Sequence, residues 1–223
     1  MTKRITEPNN QVLRIMIAFG VLGAGFYGLT QVDFYYIQFS FLVISGLVSY
    51  LLVFGFVGVR QLFSTPKRFI KTFLLILVGS QIYGMLASMI MGILAQLLDI
   101  QTKANSAQDN PWWFFVFILP IALLGEELFS ITIFDTLRKK MGINTKVASL
   151  LTAIIFGLIH FETYLGSLAL FTIVQVILVQ GGIRLWFNQA YLKTKSLNTS
   201  WAVHYAFDLI AFVFRKFIIL LDK

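Results

Sequence analysis

The chain has 223 residues, of which 58% are hydrophobic and 13% charged, with a mean hydropathy of +0.81 and a formal net charge of +8. Soluble domains hold about half apolar and about a quarter charged residues, so this composition argues against a soluble fold and for an integral membrane protein. The chain has no cysteine, which excludes a disulfide framework and thiolate chemistry, and its positive charge falls in short segments between apolar runs, which orients a membrane protein rather than marking a nucleic-acid surface.

Seven apolar runs approach the length of about 20 residues that a crossing requires. The polar start MTKRITEPNN leads into 12–30, which carries Arg14 near its beginning. No small-residue cleavage pattern follows, so the run reads as a first spanning helix and not as a removed signal peptide. The second run is 34–59. The third, 70–98, is long enough to tilt. The fourth, 112–134, contains the stretch LLGEELFSITIF. The fifth and sixth, 147–161 and 164–183, are together too long for one crossing, and Glu162 and Gly166 mark the turn between them. The seventh is 198–214. The expected fold is all-α, a polytopic transmembrane helix bundle of about seven spans. It forms a single integral membrane domain over 1–223, with the motif-bearing core in 111–214.

The segments between runs alternate in charge. Positive sets are Lys3, Arg4, Glu7 and Arg14; Arg60, Lys67, Arg68 and Lys71; Asp135 with Arg138, Lys139, Lys140 and Lys146; and Arg184, Lys193 and Lys195. Between them lie Asp33; Asp99, Lys103 and Asp109; and Glu162, each net negative. The positive-inside rule then predicts a multi-pass cell-membrane protein with a cytoplasmic N-terminus. The tail departs from the pattern, because Arg215, Lys216, Asp222 and Lys223 are net positive on the other side.

Few ionisable groups lie well inside the runs. They are Glu126 and Glu127 in the fourth, His160 late in the fifth, and His204 with Asp208 in the seventh. All are of types that move protons or bind metal, and ionisable groups within a membrane are costly and usually functional. His204 and Asp208 are four apart and share a helix face. Glu126 and Glu127 point about 100° apart, so one faces a central cavity while the other turns to a neighbouring helix and needs a donor there. Counted from the inner ends of their spans, Glu126 lies about 12 Å deep, His204 about 9 Å and His160 about 20 Å, so the last does not match the other two. Such a cluster suits peptide hydrolysis: a carboxylate takes a proton from water, and imidazoles share that task, hold a metal or stabilise an oxyanion. Purely structural roles stand beside this reading. The glutamates could join helices by hydrogen bonds, His160 could be interfacial, and His204 with Asp208 could form a structural couple.

The pattern resembles that of the CPBP intramembrane proteases, also called the CAAX protease and bacteriocin-processing or Abi family. Its motifs are a double glutamate with an arginine four positions after the second, then Phe-x-x-x-His, then His-x-x-x-Asn or a similar polar residue. Here they read EELFSI (126–131), FGLIH (156–160) and HYAFD (204–208). The arginine position holds Ile131 and the asparagine position Asp208. The resemblance implies an intramembrane endopeptidase acting on a peptide or protein tail, in peptide processing or bacteriocin self-immunity. It implies Glu126 as the water-activating carboxylate, His160 as its partner, His204 and Asp208 as carbonyl-polarising groups, and Glu127 in support. With the motif cation absent, repulsion among three carboxylates favours either a protonated acid or a divalent metal such as zinc held by Glu126, His160, His204 and Asp208. Metal-free operation is the alternative. Expected partners are the lipid bilayer and a peptide or protein substrate, with no nucleic acid. Two other readings are a catalytically impaired relative that confers immunity or scaffolds by binding, and a proton-coupled transporter. An expected cavity, open toward the cytoplasmic half, would bring Glu126, His160 and His204 together.

Overall fold

A computed structural model describes residues 8–34 and 36–221. Lys3, Arg4, Glu7, Asp222 and Lys223, used in the charge count, lie outside the described residues. Every regular element among the described residues is helical. Three long helices come first: α1 (Pro8–Gln31), α2 (Gln38–Leu62) and α3 (Phe69–Leu97). Then follow α4 (Trp112–Phe117), α5 (Leu119–Asp135), α6 (Thr145–Ile159), α7 (Phe161–Tyr164), α8 (Ala169–Val176), α9 (Gly182–Thr194) and α10 (Leu197–Leu221).

Four of these segments are long and apolar enough to cross a membrane: Asn10–Gln31, Gln38–Leu62, Phe69–Leu97 and the continuous Ala169–Thr194. The expectation of about seven spans is corrected to four on this criterion. The fourth expected run is broken at Ile118, because Pro120 in the first turn of α5 has no N–H to continue the ladder and clashes with the preceding turn. What remains, α5, has 17 residues. Helix α6 has only 15. Helix α10 is long, but its interior carries Asn198, Ser200, His204 and Asp208.

Helix α5 is the centre of the bundle and is buried along nearly its whole length, polar residues included. Glycines set how closely its neighbours approach. A Cβ on Gly125 would lie 2.7 Å from the Leu42 Cβ, and one on Gly46 would lie 2.6 Å from the Leu128 Cβ. The α2 and α5 backbones can therefore touch, as small residues permit in membrane bundles. A π-type turn, Ile177–Gly181, joins α8 to α9. A Cβ on Gly181 would come within 2.7 Å of the Ala153 carbonyl of α6. The wider turn shifts the inward face of α9 relative to α8.

The two ends of the bundle differ. At one end Ser196 donates to the Ser64 carbonyl (2.6 Å) and Gln11 to the Lys140 carbonyl (3.5 Å). Arg60, Lys67, Arg68, Lys71, Lys139, Lys146, Lys193 and Lys195 are exposed there. At the other end the Ser167 N–H donates to the Gln101 carbonyl (2.9 Å) and Asn105 to the Tyr164 hydroxyl (3.4 Å). Asp33, Asp99, Lys103, Asp109 and Glu162 lie exposed at this end. Lys216 also reaches it, with its Nζ over the Trp112 and Phe115 rings.

Two residues counted as loop charges are interior. Asp135 is fully buried. It accepts from the Tyr50 (2.9 Å) and Tyr191 (2.6 Å) hydroxyls, Arg138 (2.8 Å) and Lys139 (2.6 Å). Arg184 is also fully buried, in the first turn of α9. A hydropathy reading ends a span at the first charge, whereas a charge whose donors or acceptors are met can continue into the interior.

Candidate active site

Glu126 and Glu127 leave α5 in different directions, as their angular separation requires. Glu126 lines a cavity of ≈ 1040 Å³ together with His160, His204 and Asp208. Its Oε2 lies 3.8 Å from Nε2 of His160 and 3.9 Å from Nε2 of His204. Nε2 of His204 is in turn 3.7 Å from Oδ2 of Asp208, four residues along α10. These gaps are too long for direct hydrogen bonds. They suit a site in which one water or a substrate group is shared among the four side chains, and catalytic contacts are often loose without substrate.

Both imidazoles are fixed from behind. His160 stands just past the end of α6, with its Nδ1 2.7 Å from the Phe156 carbonyl oxygen. A carbonyl can only accept, so Nδ1 carries the proton and donates it. His204 places Nδ1 3.0 Å from Oε1 of Glu127. In each ring Nε2 is left facing Glu126, which is how a hydrogen bond on one nitrogen assigns the role of the other. Phe156 and Phe187 wall the site, with ring centroids 5.9 and 4.5 Å from that of His204. Despite the depth mismatch expected for it, His160 lies beside Glu126. It caps α6 at φ −89° and ψ 2° rather than continuing a straight helix, and its ring reaches back to the Phe156 carbonyl.

Glu127 is fully buried and faces α9. Arg184 meets it with both terminal nitrogens, Nη1 to Oε1 and Nη2 to Oε2, the second at 3.1 Å. Nε of Arg184 donates to Asn188 (2.9 Å), and Asn188 donates to the Ser149 hydroxyl of α6 (2.9 Å). The guanidinium lies between the Phe156 and Phe187 rings, 5.6 Å from each centroid. Four helices are thus tied around one carboxylate.

This corrects the argument that Glu127 lacks a neutralising cation. The motif position, Ile131, packs in an apolar cluster with Leu128, Phe134, Ala148, Tyr191 and Leu197. The cation comes from another helix. Glu127 is therefore neutralised without a metal ion. Among the described residues, no group of three or more His, Asp or Glu is placed to hold a metal ion.

Arg184, Asn188 and Ser149 were missed by the sequence reading. A signal was present: Arg184 and Asn188 are four apart in GGIRLWFNQ, a spacing that puts both on one helix face, and Glu127 required a donor on a neighbouring helix. The cavity also departs from expectation in its direction. Its walls include Thr30, Thr102, Asn105, Ser106 and Asn110, and no residue of the basic loops. It reaches the end away from those loops.

The family described as type II CAAX prenyl endopeptidase Rce1-like matches residues 108–210 of this chain. The matched segment carries Glu126, Glu127, His160, Arg184, His204 and Asp208 and amounts to just under half of the chain. No curated protein and no solved structure matches.

Proposed function

We propose that the chain is an intramembrane endopeptidase that hydrolyses a peptide or protein segment at Glu126. The observation that carries this reading is the approach of the Glu126 carboxylate to Nε2 of both histidines, within one cavity and on three separate helices. In the proposed step, Glu126 accepts a proton from a water molecule that His160 helps to position. The water oxygen attacks the scissile carbonyl carbon. The resulting oxyanion is held by His204, protonated on Nε2 and backed by Asp208, as preorganised donors do in acyl transfer. Glu126 then gives its proton to the leaving amine nitrogen, and the C–N bond breaks. Glu127, locked by Arg184, keeps the His204 ring in its orientation.

In this reading α5, α6 and α10 are embedded beside the four long helices, since each runs between the two ends of the bundle. The similarity over 108–210 to a peptidase family supports the reaction class. No step is routed through a metal ion. Whether zinc at Glu126, His160, His204 and Asp208 contributes is settled by the chelator arm of the test.

The test is cleavage of candidate peptides by purified protein in lipid vesicles, with and without a zinc chelator, beside Glu126→Gln. The expected result is new peptide termini with the wild type and none with the variant at equal protein level. A cellular phenotype that survives Glu126→Gln unchanged would instead assign the chain a binding or scaffolding role. Proton flux across the vesicle membrane without cleavage would assign it to transport.

A further inference from the structure

At the basic end, two segments distant in the chain are tied together. Ser196 donates to the Ser64 carbonyl (2.6 Å), Ser64 to the Lys195 carbonyl (3.4 Å) and Asn198 to the Phe63 carbonyl (3.4 Å). The stretch between α2 and α3 is thereby joined to the turn between α9 and α10. Arg60, Lys67, Arg68, Lys193 and Lys195 stand on or within four residues of the joined positions, and Lys71 lies in the first turn of α3. All six are exposed. Among the described residues, none of their side chains makes a hydrogen bond or an ion pair. The acid described at this end, Asp135, is buried and already holds Arg138 and Lys139. Gathering like charges costs free energy unless a counter-charge is supplied. Both segments also turn through a left-handed residue, Arg68 (φ 53°) and Lys195 (φ 57°). Glycine or asparagine suits that conformation, yet each place holds a cation.

The surface beside the cations indicates what kind of anion fits. On α2, Phe56 and Val57 stand one turn before Arg60 and are 81% and 71% exposed. On α3, Leu74, Leu75 and Val78 follow Lys71 at spacings of three, four and seven, which keeps them on its side of the helix, and all are more than half exposed. The two helices pack on different partners, α2 on α1 and α5, and α3 on α9 and α10. Helix α3 has 29 residues, about 44 Å at 1.5 Å per residue. That length matches a bilayer with its headgroups rather than its hydrocarbon alone, so Lys71 stands at headgroup level.

We propose that this junction binds the headgroup of an anionic phospholipid, with the phosphate among the six cations and the acyl chains along the exposed apolar strips of α2 and α3. Basic pockets between spanning helices dock such headgroups. A soluble anion would use the cations alone, whereas a phospholipid uses cations and strips together. The inference does not depend on the peptidase reading, because the junction contains none of the residues around Glu126.

The test is native mass spectrometry of the purified protein from micelles holding equal amounts of a phosphatidylglycerol and a phosphatidylcholine with the same chains. The wild type should retain the phosphatidylglycerol severalfold over the phosphatidylcholine. Arg68→Gln with Lys195→Gln should lose most of that preference, and the charge-keeping Arg68→Lys with Lys195→Arg should retain it. Arg14→Gln with Lys146→Gln removes the same charge outside the junction and should also retain it. Absence of a preference in the wild type would overturn the proposal. So would an equal loss in the two Gln pairs, which would reduce the effect to overall charge. Glycerol 3-phosphate in molar excess should leave the lipid bound; displacement would show that the junction reads a free phosphate and not a lipid.

Discussion

At the scale of single residues, two neighbouring glutamates have opposite fates. Glu126 faces open space, whereas Glu127 is sealed behind it and fully paired. Removing one member of a buried pair strands the other charge, which costs about 3–5 kcal/mol. Arg184→Leu should therefore lower stability by about that amount, read as a lower thermal transition in detergent. Arg184→Lys keeps the charge but loses the two-pronged contact, so it should fall between wild type and Arg184→Leu. The double variant Glu127→Leu with Arg184→Met should be less destabilised than Arg184→Leu alone. Ile131→Arg, which places a cation four positions after Glu127, should not rescue Arg184→Leu. Residue 131 sits among Leu128, Phe134 and Leu197, so the new charge would enter an apolar cluster. Rescue in that experiment would show that the two positions serve the same carboxylate, against the packing described. Glu126, Glu127, His160, His204 and Asp208 stood out in the sequence because each is a rare ionisable type inside an apolar run. Arg184 was not. It stands next to the point where the apolar run of α8 ends, and its burial depends on a partner 57 positions away in the chain.

At the scale of elements, the site is as accurate as the contact between α2 and α5. Gly125 precedes Glu126, and its hydrogen faces Leu42 and the Val43 backbone nitrogen, 2.7 and 3.1 Å from where a Cβ would stand. Overpacking of this kind costs about 1–3 kcal/mol. Gly125→Ala should show a loss in that range as a lower thermal transition, together with a larger fall in cleavage rate than its stability loss explains, because the displaced turn carries Glu126. A matched fall at Gly46→Ala, where the contact is with Leu128, would tie the rate to helix separation. A rate unchanged in both would show that the α2–α5 spacing does not govern the position of Glu126. The helices themselves were legible from apolar length. Not every interruption was: Gly55 takes φ 68° and ψ 179° inside α2, a conformation open essentially to glycine alone, and nothing in the local hydropathy marks it.

At the scale of the molecule, two unlike ends give the bundle its direction. Loop charges recorded that difference apart from Asp135 and Arg184, which are interior, and Lys216, which lies at the acidic end; the span count did not survive because crossing length and helix length part company wherever a helix is broken or polar. The reach of the cavity toward the acidic end is not legible in the same way. Depth counted along the chain measures distance to the nearer end, while access depends on which end the packing leaves open. The basic end is closed by the Asp135 network and its aromatic neighbours.

The central claim is that a water held by Glu126 becomes part of a cleaved peptide. The direct measurement is mass spectrometry of peptides incubated with vesicle-bound protein in heavy-oxygen water, for the wild type and Glu126→Gln. The account predicts heavy oxygen in the new C-terminal carboxylate with the wild type and intact peptide with the variant. Equal cleavage by Glu126→Gln would contradict it.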